Sequence, residues 1–234
     1  MKVVYQGKLK NGEPFTVMKL SENHLHEILS LQEIVYDELE NKEILQKLTE
    51  DEFRYIVEGN GLAIGAFVGE TLIGVRALLV PPIDEEHLGL AVGLKKEELE
   101  KVIYQEISFI HPSYRGNRLQ QLLAKLIMET LNESDHSYRY VCCTVAPFNI
   151  PSLKDKFNQK MEVRALKEIY GGKLRYIFMK DLHKTEEPVW TETKDVAMDD
   201  ITLQQQLLNT GWTGYELVNN ENQYYIKFGK KKKS

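Results

Sequence analysis

The 234-residue chain is 42% hydrophobic and 28% charged, an ordinary globular balance long enough for one large domain or for a domain with an appendage. Its formal charge of −5 argues against nucleic acid as the main partner. No apolar run approaches the roughly 20 residues that span a membrane, and the first fourteen residues contain no signal-peptide core. The only cysteines, Cys142 and Cys143, are adjacent on a predicted strand that points them to opposite faces. They do not suit a disulfide, and a reducing cytoplasm is the simple expectation.

In chain order, residues 15–20 read as a first strand. Ser21 is placed to cap a helix carrying Leu25, Ile28, Leu29, Leu31 and Ile34. A second helix is predicted near 43–48 and another over 51–57. Residues 62–68 and 71–80 form a predicted hairpin about the Gly69-Glu70 turn, ended by Pro81-Pro82. A charged connection follows, with a short helix near 96–99, and then a central strand over 102–110. From Leu119 the apolar residues Leu119, Leu122, Leu123, Leu126 and Ile127 keep the spacing of one helical face. Residues 140–145 are a strand rich in β-formers, and Asn149 and Pro151 suit the cap and first turn of a further helix.

Beyond a polar linker at 183–188, residues 189–196 read as a strand. Asp199-Asp200 open a helix that Gly211 stops, and 214–218 and 223–228 make a hairpin. About 50 residues do not easily sustain a core of their own, so this tail is expected to dock on the main domain or on a second subunit. The lysine run 230–233 is expected to be a solvated, disordered end.

The segment joining the central strand to the long helix, Ile110-His111-Pro112-Ser113-Tyr114-Arg115-Gly116-Asn117-Arg118, carries the chemistry. A helix N-terminus offers unpaired N–H groups and partial positive charge, and Arg115 and Arg118 beside it complete an anion cradle. A phosphorylated ligand is the expectation.

These residues resemble the GNAT superfamily of acyl-CoA-dependent N-acyltransferases. The stretch from Ile110 to Gly116 matches that family's strand-end pattern x-P-x-Y-R-G. Arg115 fits the first position of its Arg/Gln-x-x-Gly-x-Gly/Ala loop, while Arg118 and Gln120 stand where small residues are usual. Asn149 to Ser152 resembles the family's N-x-x-S/A motif, and 170–180 its closing strand pair. The likeness covers roughly residues 15–182. It implies an α/β fold with a mixed sheet, the GNAT acyl-CoA N-acyltransferase fold, over 1–182, with a small strand-helix-hairpin extension over 183–234.

The resemblance further implies transfer of an acetyl group from acetyl-CoA to an amine of a small molecule or peptide, by direct attack in a ternary complex. Arg115, Gly116, Asn117, Arg118, Leu119 and Gln120 would hold the CoA pyrophosphate. Phe109, Ile110 and His111 would line the pantetheine channel through their main chain, with Asn149 and Ser152 as a second contact. Glu106, nine residues before Arg115, sits where the family often places a general base. By simple strand alternation it would share a face with Tyr104, Ser108 and Ile110. The family's general-acid tyrosine has no counterpart: Lys156 or Phe157 stands there, depending on register.

No metal is expected, because the six histidines are scattered without ligand spacing. Neither cysteine has a sequence-evident histidine partner that would make it an acyl-carrying nucleophile. Tyr36, Tyr55, Tyr104 and Tyr170 are pocket candidates, with burial in the core as their bland alternative. Two rivals to an enzyme remain. One is a non-catalytic acyl-CoA-binding or sensing module; the other is a GNAT-fold scaffold that forms homodimers through its C-terminal extension.

Overall fold

A computed structural model describes residues 3–221 and 223–232. Its strands are β1 (Val3–Lys8), β2 (Pro14–Lys19), β3 (Gly61–Val68), β4 (Thr71–Leu79), β5 (Val102–Ile110), β6 (Tyr140–Val145), β7 (Glu162–Ile169), β8 (Lys173–Asp181), β9 (Trp190–Ala197), β10 (Thr213–Asn220) and β11 (Gln223–Lys231). The helices are α1 (Leu25–Asp37), α2 (Glu50–Val57), α3 (Leu88–Ala91), α4 (Leu119–Asn132), α5 (Ile150–Asn158) and α6 (Ile201–Asn209). They group into two compact units. One runs to Pro81 and resumes at Ile103–Ser137; the other comprises Pro82–Val102 and continues from Tyr138.

In the first unit β1 to β5 pair antiparallel, each with the next. Leu25, Ile28 and Leu31 of α1 and Phe53 and Ile56 of α2 close one core with Val75, Ala77, Ile107 and Phe109 of the sheet. The opposite sheet face receives α4, which buries Leu119, Leu123, Leu126 and Ile127 as its periodicity predicts. Truncating the fully buried Leu123 to Ala would cost about 3 kcal/mol.

β1 has no counterpart among the predicted elements. Its side chains are mostly exposed, so it lacks the apolar alternation by which strands are read. The helix predicted near 43–48 is also absent. Asn41 caps a single 3-10 turn, Lys42–Ile44, and Leu45 leaves it extended.

In the second unit β6 pairs with β8, β8 with β7, and β7 with β10 at the single position Val163↔Gly214. A Cβ on Gly214 would stand 3.0 Å from the Cβ of Val163, so this approach needs glycine. The sheet continues through β11 to β9. The tail is thus anchored within this unit by backbone pairing and by a buried polar knot. Tyr176 Oη donates to Gln204 Oε1 (2.7 Å), while Gln204 Nε2 donates to the carbonyls of Met198 (2.9 Å) and Ala197 (3.0 Å). Asp200 caps α6 and Gly211 ends it, as the sequence implies.

The lysine run behaves otherwise than expected. Lys230 and Lys231 lie in β11, paired with β9, and Lys231 Nζ reaches Glu162 at 2.6 Å. Ladder hydrogen bonds and an acidic partner on β7 hold charges that the sequence presents as a free end. Lys233 lies outside the described residues.

Candidate functional site

The segment from His111 to Arg118 joins β5 to α4. Pro112–Tyr114 make one 3-10 turn, tied by Tyr114 N–H to His111 O and Arg115 N–H to Pro112 O. Gly116 then takes φ +81, and Arg118, immediately before α4, takes φ +59 and ψ +19. This is the left-handed region, where a non-glycine residue costs about 1–2 kcal/mol. Arg118 therefore takes a backbone conformation that glycine adopts readily, and it contributes a guanidinium as well. Gln120 is simply helical.

The consequence is a run of open donors. Among the described residues the backbone N–H groups of 116–121 meet no acceptor, and the first to do so is Leu122, on Arg118 O at 3.1 Å. No side chain caps α4. Arg115 and Arg118 are exposed and form no ion pair among the described residues. A Cβ on Gly116 would touch nothing within 4 Å, so the space beside its Cα is open. Asn117 is the exception to this openness. Its Oδ1 accepts Lys10 N–H and its Nδ2 donates to Tyr114 O, both at 3.0 Å.

Glu106 occupies an irregularity that alternation cannot reveal. On β5 Gln105 stands opposite Leu78 and Ile107 opposite Ala77, so Glu106 is a bulge residue with no partner on β4. The extra residue resets the two-residue period. Tyr104 and Ile107 face the side of Leu79 and Ala77, where α1 and α2 pack. Gln105, Ser108 and Ile110 face α4, where Gln105 approaches Met128 and Ile110 meets the Cα of Gly74 beside Leu123. The expectation that Glu106 shares a face with Ser108 and Ile110 therefore fails. Glu106 retains some contact with solvent, yet burial, with a smaller push from Glu52 on α2, raises its carboxyl to about 7.

The remaining predicted residues sit as follows. Phe109 and Ile110 are buried at the end of β5. The His111 N–H is committed to Ile73 O (2.8 Å), and its Nδ1 accepts Ser113 N–H (3.2 Å). In the second unit Asn149 Oδ1 accepts Ser152 N–H (3.3 Å) and so caps α5. Lys156 is buried and ion-paired with its neighbour Asp155 at 3.1 Å, whereas Phe157 is core, edge-on to Phe178 at 5.1 Å. Both cysteines are buried thiols, and burial pushes that of Cys142 up, away from nucleophilic use. Tyr55 and Tyr170 are exposed rather than core. No cluster of potential metal ligands occurs among the described residues. None of their helices is long and apolar enough to cross a membrane. An open cleft of about 550 Å³ on α1 and α2, lined by Glu22, His26, Glu33, Glu50 and Arg54 among others, was not signalled by any sequence motif.

The sequence matches no protein-family model and no curated protein. Solved structures match the fold. A GNAT-family acetyltransferase from Streptococcus pneumoniae superposes with TM-score 0.53 at 15% identity, over 72% of this chain and 99% of its own. The protein yncA of Salmonella typhimurium, solved with its cofactor acetyl-CoA, gives 0.54 at 10%, over 75% and 98%. The ribosomal L7/L12 α-N-protein acetyltransferase RimL, solved with coenzyme A, gives 0.52 at 11%, over 77% and 98%. The chain has the GNAT acyltransferase fold.

Proposed function

We propose that this protein is an N-acetyltransferase that uses acetyl-CoA to acetylate an amine of a small molecule or peptide. The observation that carries the reading is the run of open N–H groups over 116–121, flanked by two unpaired arginines, in a GNAT fold. Such a run is a site for a diphosphate. The open space beside the Cα of Gly116 and the left-handed Arg118 suit the group sterically. Bound there, acetyl-CoA would supply a thioester whose thiolate is a good leaving group.

The chain's own contribution to chemistry is Glu106. An amine with a pKa near 10 reaches the site protonated, and a carboxylate poised near 7 removes that proton at neutral pH. The freed nitrogen forms the N–C bond as the C–S bond breaks; the first proton ends on Glu106, and the second, shed by the nitrogen after attack, passes to the departing thiolate or to solvent. The side chain at the family's tyrosine position supports no equally simple acid, since Lys156 is already paired with Asp155. A thiolate of ordinary pKa leaves without one.

Calorimetric titration with acetyl-CoA, followed by a panel of primary amines, tests the reading. Micromolar binding with turnover of at least one amine is the expected result. Binding without turnover would favour the acyl-CoA-binding module. No binding, with a monomer–dimer equilibrium that depends on residues 183–234, would favour the scaffold.

A further inference from the structure

The N-terminal hairpin, which no sequence motif connected with the site, is fastened to the anion loop. Its tip, between β1 and β2, closes through Gly12 N–H on Leu9 O and Leu9 N–H on Glu13 O, with Leu9 buried beneath. The next residue, Lys10, donates its backbone N–H to Asn117 Oδ1 across 107 positions of sequence. Asn117 holds the other side of the loop as well, through Tyr114 O. One amide side chain thus fixes both the turn that precedes Arg115 and a segment from the far end of the sheet.

The tether anchors the backbone of a third cationic residue at the loop. Lys10 is exposed and has no ion pair among the described residues. The carboxylate in its own turn, Glu13, instead accepts the Asn11 side-chain amide and does not neutralise it. With its backbone bonded to Asn117, the exposed Lys10 is anchored at the segment that carries the open donors of 116–121 and the arginines Arg115 and Arg118. Building on the proposed CoA site, we infer that the hairpin tip is part of the diphosphate-binding machinery. Lys10 contributes charge to the bound diphosphate, and Asn117 is the positioning residue that keeps it there.

Calorimetry on the full chain tests this with three probes: CoA, dephospho-CoA and pantetheine. Lys10→Gln should weaken CoA and dephospho-CoA alike by about fivefold and leave pantetheine unchanged, while Lys10→Arg retains affinity. Asn117→Ala should cost at least as much, and adding Lys10→Gln to it should cost little more, because a lysine no longer held in place has little to lose. Independent, additive losses would overturn the positioning role. A loss shared by pantetheine would mean a folding defect and would overturn the diphosphate assignment. If the unaltered protein binds CoA while both variants bind it equally well, this inference alone fails. If the unaltered protein binds no CoA, the site itself fails and the inference with it.

Discussion

Helix N-termini in this protein are built in two opposite ways. At α5, Asn149 closes the first turn with its side chain; α2 has a reciprocal box of Thr49 and Glu52, and α6 has Asp200. At α4 no side chain closes the turn, the flanking residues are arginines, and the residue before the helix sits in a strained conformation. Capping an end is worth about 1 kcal/mol, and cations beside the positive end of a helix are unfavourable. The chain forgoes stability at α4 that it takes at three other helices. On the proposed function, a ligand that brings its own negative charge would offset that cost at α4.

The comparison breaks most sharply at Arg118. Changing it to Asp, a residue that tolerates the left-handed region, should reduce CoA affinity more than thirtyfold while leaving the thermal midpoint unchanged or higher. A protein that keeps its affinity would show that α4 is open for some other reason. Gly116→Val should also abolish most CoA binding. The side chain would meet no neighbour, but a β-branched residue resists φ +81, so the loop must change shape. Asn149→Ala, the counterpart at the capped end, should lower stability by about 1 kcal/mol in urea titrations.

Glu106 gives a prediction in pH. Its raised carboxyl stays protonated in the folded chain at pH values where the unfolded chain has released that proton. Stability should therefore fall as pH rises from 4.5 to about 7 and level off above. Glu106→Gln should flatten that limb in urea midpoints measured across pH. In turnover assays the same variant should lose most activity near neutrality and least in alkali, where the amine is already free. An equal loss at every pH would remove Glu106 as the base. The smallest effect belongs to Arg118→Gly, which relieves the strained dihedral at some entropic cost and should raise stability by about 0.5 kcal/mol.

Much of this was legible in the residues because it depends on local rules. The spacing of Leu119, Leu123, Leu126 and Ile127 announces α4, and Asp200 and Gly211 bracket α6. What escaped depends on long-range pairing. β1 has no apolar face to betray it, and Lys230 and Lys231 look like a loose end until β9 and Glu162 are beside them. The tether from Lys10 to Asn117 joins positions too far apart for any motif. In the loop, residue identity misled where shape did not: Arg118 reads as a broken glycine position, yet its backbone adopts the glycine conformation. The bulge was hidden for a simpler reason, since one inserted residue leaves composition untouched while exchanging the two faces of everything after it.

That insertion can be read as a matter of counting. Between Gln105 and Ile107, which oppose the consecutive residues Leu78 and Ala77, the ladder is already complete. A chain lacking position 106 could pair β5 with β4 without a gap. The strand therefore contains one residue more than its pairing with β4 requires, and that supernumerary residue is the glutamate. Unpaired with β4, it is the position in β5 whose side-chain direction is set by the bulge rather than by strand alternation.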